Sequence, residues 1–429
     1  MTHEMTSKTA PIDDTRYFSS TLLERYTLHS QEDLISFASD VTGQCCSQAS
    51  DVPPKKLHLG SLYSGELGPQ VYGRLQWAMR RNTPPQEKKK YLDLAKMAAE
   101  QSLEHAQAST SEKQRVSLLE SKWVGSMVML IAIEQEIEIR DELCENLLRE
   151  LTSRCKNLAD QECEILYGRA GAMQSILWLR SEMQLSTLGK SFCLDIAEHI
   201  LRMGMRNASA APHLRLPLVW YWLGEIYLGA AHGIVGILQI LLQLESEEWN
   251  ELERRIPNGL RIIEQTIDDL HRFYCFHGSG NLMSSVERNK KDRLVHWCHG
   301  APGWILLLIR ASQVFSKPSY LGVAKKTAER TLWPRGLLKK KGLGLCHGIA
   351  GNGFVFLNLS HALEGEEQRL WYRRALLYAA FGMAHYDALK DIPDRPLSLY
   401  EGLSGFACFL LACADHDDPR SSRFPLYAF

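Results

Sequence analysis

Hydrophobic positions along the chain fall into two alternating kinds of segment. In one kind, as at 304–309 and 354–357, nearly every residue is apolar, the pattern of a helix buried on every side. In the other, as at 87–101, 141–156 and 368–389, apolar residues recur at spacings of three and four among charged ones, which predicts amphipathic helices with one face on a core. The first kind reads as an inner layer and the second as an outer one.

A repeated lead ties the two layers together. Gly-x-x-Gly precedes the apolar stretches in Tyr63-Ser64-Gly65-Glu66-Leu67-Gly68, Tyr167-Gly168-Arg169-Ala170-Gly171, His232-Gly233-Ile234-Val235-Gly236, Cys298-His299-Gly300-Ala301-Pro302-Gly303, Cys346-His347-Gly348-Ile349-Ala350-Gly351 and Tyr400-Glu401-Gly402-Leu403-Ser404-Gly405. An imperfect copy, Lys122-Trp123-Val124-Gly125, has Lys122 at its first glycine position and brings the number to seven. The spacing is about sixty residues, enough for two helices per unit and a little longer than most helical repeats. Small residues three apart at a helix start let backbones approach closely and leave the first N–H groups clear.

This pattern predicts an all-α fold, an α/α toroid or double-layered α-barrel of seven helix-pair repeats. It would occupy residues 56–429 as one domain, after a partly helical N-terminal extension at 1–55. Periodicity alone fits an open helical solenoid equally well. The polar residues beside the Gly pairs favour the closed form, in which helix N-termini converge on one basin and favour anions and thiolates there.

Charge adds little direction, because 49 Lys and Arg against 50 Asp and Glu leave a formal net charge of -1 and no field to draw nucleic acid. Eleven cysteines, an odd number without dense spacing, read as free thiols in a reducing compartment, hence a cytoplasmic protein. The polar N-terminus offers neither an apolar signal core nor a glycine after Met1. No apolar run approaches the ~18 residues of a transmembrane segment.

Candidate chemistry sits in the leads. Cys298-His299 and Cys346-His347 occupy equivalent places in successive repeats, so a toroid would turn two thiols and two imidazoles toward one basin, a donor set suited to Zn²⁺. The 48-residue gap between the cysteines is no zinc-finger spacing, and the repeat register carries the signal. Four ligands would close the site as a structural staple; three would leave an open position for chemistry. His232 holds the same slot as His299 and His347 and suits general acid/base work beside a metal. Glu401 holds that slot in the last repeat, where it suits orienting a basic group or supporting the site.

The segments 167–171, 227–233, 295–303, 344–348 and 398–402 resemble the eukaryotic LanC-like proteins, relatives of the bacterial lanthionine synthetase cyclases, and the likeness runs over 62–425. The resemblance implies a toroid with zinc held by Cys298, Cys346 and His347, which leaves His299 outside the ligand set, and a catalytic role for His232. It further implies glutathione as co-substrate, contacted by Lys341 and by the segment that ends at Asp394, and transfer of its thiolate to dehydroalanine or dehydrobutyrine in proteins or peptides. Glu164, Arg169, His299 and Glu401 are supporting candidates. A protein kinase and peripheral association with the plasma membrane are further partners that the family leaves open.

Several positions depart from the family pattern. Ser121-Lys122 stands for a Cys-Gly pair, Asp391-Ile392-Pro393-Asp394 for Arg-Thr-Pro-Asp, and Cys163-Glu164 for a pair with Asp; segment 279–285 lacks the proline usual after its Asn. These mark a divergent member, with the type-three branch as its candidate place. The loss of the arginine at Asp391 motivates a second reading, a non-catalytic zinc- and glutathione-binding adaptor or sensor. A sugar-processing toroid would need paired carboxylates, and Glu401 has no acidic mate at a repeat position by this register.

Overall fold

The computed structural model describes residues 16–51, 60–287 and 291–428. Among them the secondary structure is helical, with only isolated β-bridges. In chain order, α1 is Gln31–Asp51, and a π-turn at Gly68–Gly73 runs into α2, Arg74–Met79. Then come α3 (Pro85–Gln107), α4 (Lys122–Ile133), α5 (Ile137–Lys156), α6 (Arg169–Met183), α7 (Lys190–Ala210), α8 (Ile234–Leu241), α9 (Ser246–Arg255) and α10 (Gly259–Phe273). The chain continues through α11 (Ala301–Val314), α12 (Pro318–Thr327), the short α13 (Trp333–Arg335), α14 (Ile349–His361), α15 (Gly365–Ala384), α16 (Tyr386–Leu389) and α17 (Leu403–Ala414).

The inner helices are α2, α4, α6, α8, α11, α14 and α17. Helix α4 packs on α6, α6 on α8, α8 on α11, α11 on α14 and α14 on α17, α17 returns to the turn before α2, and the lead of that first unit joins the second through Tyr63 N–H to the Leu119 carbonyl and Leu62 against Gly125. That return closes the ring and selects the toroid over the open solenoid. The outer layer is amphipathic as predicted, although the segment read as one helix over 368–389 breaks at His385 between α15 and α16.

The seventh outer partner comes from the other end of the chain. Helix α1 packs on α17, burying Leu34, Ala38, Val41 and Cys45 at helical spacing, and Gln31 Nε2 donates to the Ala414 carbonyl. The C-terminus is also drawn inward: Phe424 and Tyr427 are fully buried, Trp297 packs against both at ring separations of 5.7 and 5.0 Å, and Tyr400 Oη donates to the Pro425 carbonyl. The chain thus fills the centre of its own barrel. Among the described residues no helix is long and apolar enough to cross a membrane.

The glycine pairs do what close approach requires. A Cβ on Gly351 would lie 1.8 Å from the Leu345 carbonyl oxygen, so only glycine lets α14 start against its own lead. The leads are stitched to one another through the main chain: Cys298 N–H donates to the Cys346 carbonyl, Cys346 to Tyr400, Tyr400 to Tyr63, and Tyr63 to Leu119. This ladder corrects the register of the imperfect repeat. Leu119 takes the place of Tyr63, Cys346 and Tyr400, and the N-cap of α4 is Ser121, whose hydroxyl accepts from Val124 N–H. Ser121, rather than Lys122, therefore stands where other repeats have their first glycine. Glu120 consequently falls in the slot of His232, His299, His347 and Glu401.

Candidate metal centre and its basin

Cys298 and Cys346–His347 precede α11 and α14, neighbours in the inner ring, and the main-chain bond from Cys298 to Cys346 locks their leads together. One donor atom from each of Cys298, Cys346 and His347 lies within 4.8 Å of the other two. Both thiols are buried. Burial first, then the Cys298 sulfur, push the Cys346 thiol well above its ordinary range. Burial works against protonation of His347 as well, but its bond to Cys346 outweighs this and raises its pKa. Two adjacent thiolates in such a pocket need a cation, and a compact Cys, Cys, His set is the ligand chemistry of Zn²⁺ with room for a fourth ligand. The residues present therefore fit the metal.

The surroundings of this cluster are built for it. Tyr63 Oη donates to Cys346 Sγ at 2.7 Å, and its ring stacks on Tyr400 at 4.7 Å. Burial and the two sulfurs hold the Tyr63 phenol well above its ordinary value, so it remains a donor. Gly300 adopts φ +111°, and Asn281 Oδ1 accepts from Ala301 N–H while its amide donates to Asp292 and the Leu294 carbonyl, fixing the lead that carries Cys298. His299 is not part of the three-residue cluster; its Nδ1 is buried without a partner and its pKa falls to about 4, by burial and then the nearby His232 and His347.

His232 faces the same basin. Its Nδ1 lies 3.0 Å from Glu164 Oε2, and its ring stacks on Trp222 at 3.7 Å and 9°. Glu164 is itself buried and accepts Leu166 N–H at 2.8 Å and Tyr167 N–H, so the carboxylate is held by its own lead. Lys341 and Glu401 both act electrostatically on His347. Asp394 is exposed, but its segment touches the one that carries Lys341: a Cβ on Gly342 would meet Pro393 Cδ at 2.8 Å. Arg169 does not join the basin. It is 4 % exposed, and its guanidinium donates to the carbonyls of Cys155, Leu158, Ala159 and Glu162, closing the C-terminal end of α5.

Two participants were missed in the sequence. Tyr63 carries the repeat position of Cys298 and Cys346, a signal that was available. Glu120 was hidden by the one-residue slip at Ser121. Burial, with Glu401 and Glu164 adding to it against Arg115 and Ser61, pushes Glu120 up to about 7. Glu401 thus does have an acidic counterpart at a repeat position.

Residues 79–427 match the family model for lanthionine synthetase C-like proteins. The chain is 33% identical over 299 residues to the Danio rerio protein named glutathione S-transferase LANCL1, covering 68% of each. It is 32% identical over 268 residues to the Arabidopsis thaliana LanC-like protein GCL1, covering 62% of this chain and 57% of that one. Nisin cyclase shares the fold at a TM-score of 0.63 and 14% identity, over 91% of this chain and 97% of its own. With its closed ring of seven helix pairs, six of them glycine-led, and a match that spans most of its length, the chain belongs to the lanthionine synthetase C-like family.

Proposed function

We propose that the protein is a zinc-dependent thioether-forming transferase that adds the thiolate of glutathione to dehydroalanine or dehydrobutyrine in proteins. The observation that carries this reading is the convergence of a Cys298, Cys346, His347 donor set, both of its thiols buried, with the Glu164-held His232 on one basin, where His232 and His347 both act on His299. Bound by those three residues, zinc would keep a thiol deprotonated at neutral pH. The sulfur lone pair forms the C–S bond at the β-carbon, and the C=C π electrons move toward the α-carbon and its carbonyl. The resulting enolate must gain a proton at the α-carbon. With Nδ1 engaged by Glu164, Nε2 of His232 is the atom that delivers it, and Trp222 fixes the plane in which it does so. The sum of the steps is addition of S–H across the double bond.

Lys341 supplies positive charge beside His347 for a carboxylate of the thiol donor, with Glu401 and the 391–394 segment bordering the same place. Among the described residues no disulfide joins any of the eleven cysteines, which suits a reducing compartment where glutathione is kept as a thiol. The name of the Danio rerio relative supports glutathione as the donor. The test is mass spectrometry of a dehydroalanine peptide after incubation with zinc-loaded protein and glutathione. The reading predicts a thioether adduct whose formation falls by about 10²–10⁴ in His232→Ala, with metal content kept. A wild-type protein with a full complement of zinc that binds glutathione and yields no adduct would instead favour the adaptor reading.

A further inference from the structure

Beside the basin lies a groove of which the chemistry above uses only Trp222. Its cavity of about 760 Å³ is lined by Arg115, Arg154, Glu162, Tyr167, Trp222 and Leu223, among others. Two of these reach the reacting histidine. The rings of Tyr167 and Trp222 lie almost parallel to His232, at 6.1 Å and 1° for Tyr167 and 3.7 Å and 9° for Trp222, so Trp222 covers one face of the imidazole and both rings join it to the groove they line.

The rim of the groove carries an unusual residue. Leu223 stands at the tip of a two-residue turn, closed by Trp222 N–H to the Glu225 carbonyl and Glu225 N–H to the Trp222 carbonyl. Its φ is +49°, followed by Gly224 at +78°. Asparagine or glycine serves such a turn without strain, whereas leucine does not. Leu223 is also 80 % exposed, the most exposed large hydrophobic side chain among the described residues. Neither the turn nor the core gains anything from it, so a strained apolar side chain held out over the groove is explained by what covers it in a complex.

We infer that this groove is the docking surface for the acceptor, an extended peptide that lays an apolar side chain on Leu223 and feeds its dehydroamino acid along Tyr167 and Trp222 to His232. The inference rests on the proposed thioether-forming activity and locates where the acceptor of that same site docks. Continuity with His232 selects this occupant. The walls suit it too: apolar at the Leu223 tip, with the Gln114 amide and the Glu162 carboxylate lining the same space, they offer partners for main-chain as well as side-chain groups. A chain several residues long fits a cavity of this size, at the upper part of the range for small-molecule pockets.

The test compares two acceptors with glutathione: a heptapeptide with central dehydroalanine flanked by leucines, and N-acetyl-dehydroalanine amide. Leu223→Asn, which suits the turn, should raise the ratio of peptide KM to small-acceptor KM at least tenfold, while Leu370→Asn on the outer face of α15 should leave it unchanged. A second arm is independent of turnover. With a benzophenone amino acid in place of Leu223, the same heptapeptide carrying alanine at its centre should be photo-crosslinked, and with the probe in place of Leu370 it should not. An unchanged KM ratio, or equal crosslinking at the two positions, overturns the docking surface. Absence of turnover with both acceptors would remove the activity on which the inference rests, and the crosslink would still decide whether peptide occupies the groove.

Discussion

Replacing Glu120 by glutamine should make the protein more stable at alkaline pH and leave it nearly unchanged in acid. The carboxyl is buried in the basin, and burial followed by the charges of Glu401 and Glu164 moves it from 4.5 to about 7. Because the folded value lies above the unfolded one, the native state holds a proton that the unfolded chain has already released between those two pH values. Its favourable contribution is therefore fully present below about 4.5 and lost as pH rises through 7. At about 1.4 kcal/mol for each tenfold change in proton affinity, that displacement amounts to about 3 kcal/mol above pH 7. Glutamine keeps the size and the acceptor for Ser61 but cannot ionise. The 4.0 Å pair with Arg115, itself nearly half exposed, is lost at a cost below about 1 kcal/mol. Urea unfolding of wild type and Glu120→Gln at pH 5 and pH 8.5 reads the difference. Glu66, also raised to about 7, is present in both proteins and cancels. A stability difference between the two proteins that is the same at both pH values would refute the burial of an ionisable Glu120 in the basin.

Removing the donor beside Cys346 with Tyr63→Phe should weaken zinc binding by about 10–100-fold without unfolding the protein, read by competition with a chromogenic chelator. Glu164→Gln should lower kcat for the thioether reaction by at least tenfold with zinc content kept, since the amide must turn its NH₂ toward His232 or toward one of the N–H groups of Leu166 and Tyr167 that the carboxylate now accepts. Arg169→Met should cost about 3 kcal/mol or more in urea unfolding, because buried carbonyls at the end of α5 lose their donor, while leaving zinc content untouched. An equal loss of zinc would instead bring Arg169 into the basin.

Much of the fold was legible because the constraint that builds it acts on single residues. Where a helix must start against its own lead, as at Gly351, no side chain fits, and the glycines announce six of the seven inner helices. At α4 a serine N-cap does the same work through a side-chain hydrogen bond, and the resulting slip of one residue concealed Glu120. The pairing of α1 with α17 was not legible, since four buried residues in a polar stretch announce an amphipathic helix but not which end of the chain it covers. The C-terminal segment that fills the barrel likewise carries no periodic signal. In the site, register offered Cys298, His299, Cys346 and His347 together and only the family resemblance set His299 aside, whereas the bond between Glu164 and His232 joins residues 68 positions apart and becomes visible only when α6 and α8 stand side by side. Leu223 gave no sign at all, because its oddity lies in its backbone angle and exposure.

The proposed chemistry depends on Cys298, Cys346 and His347 acting together as a metal centre, and elemental analysis of purified protein tests this most directly. Wild type and His299→Ala should each carry about one zinc per chain, and Cys298→Ala, Cys346→Ala and His347→Ala should each lose most of it while keeping the helical circular dichroism of the wild type. Zinc retained in full by Cys298→Ala, or lost from His299→Ala as completely as from the other three, would contradict it.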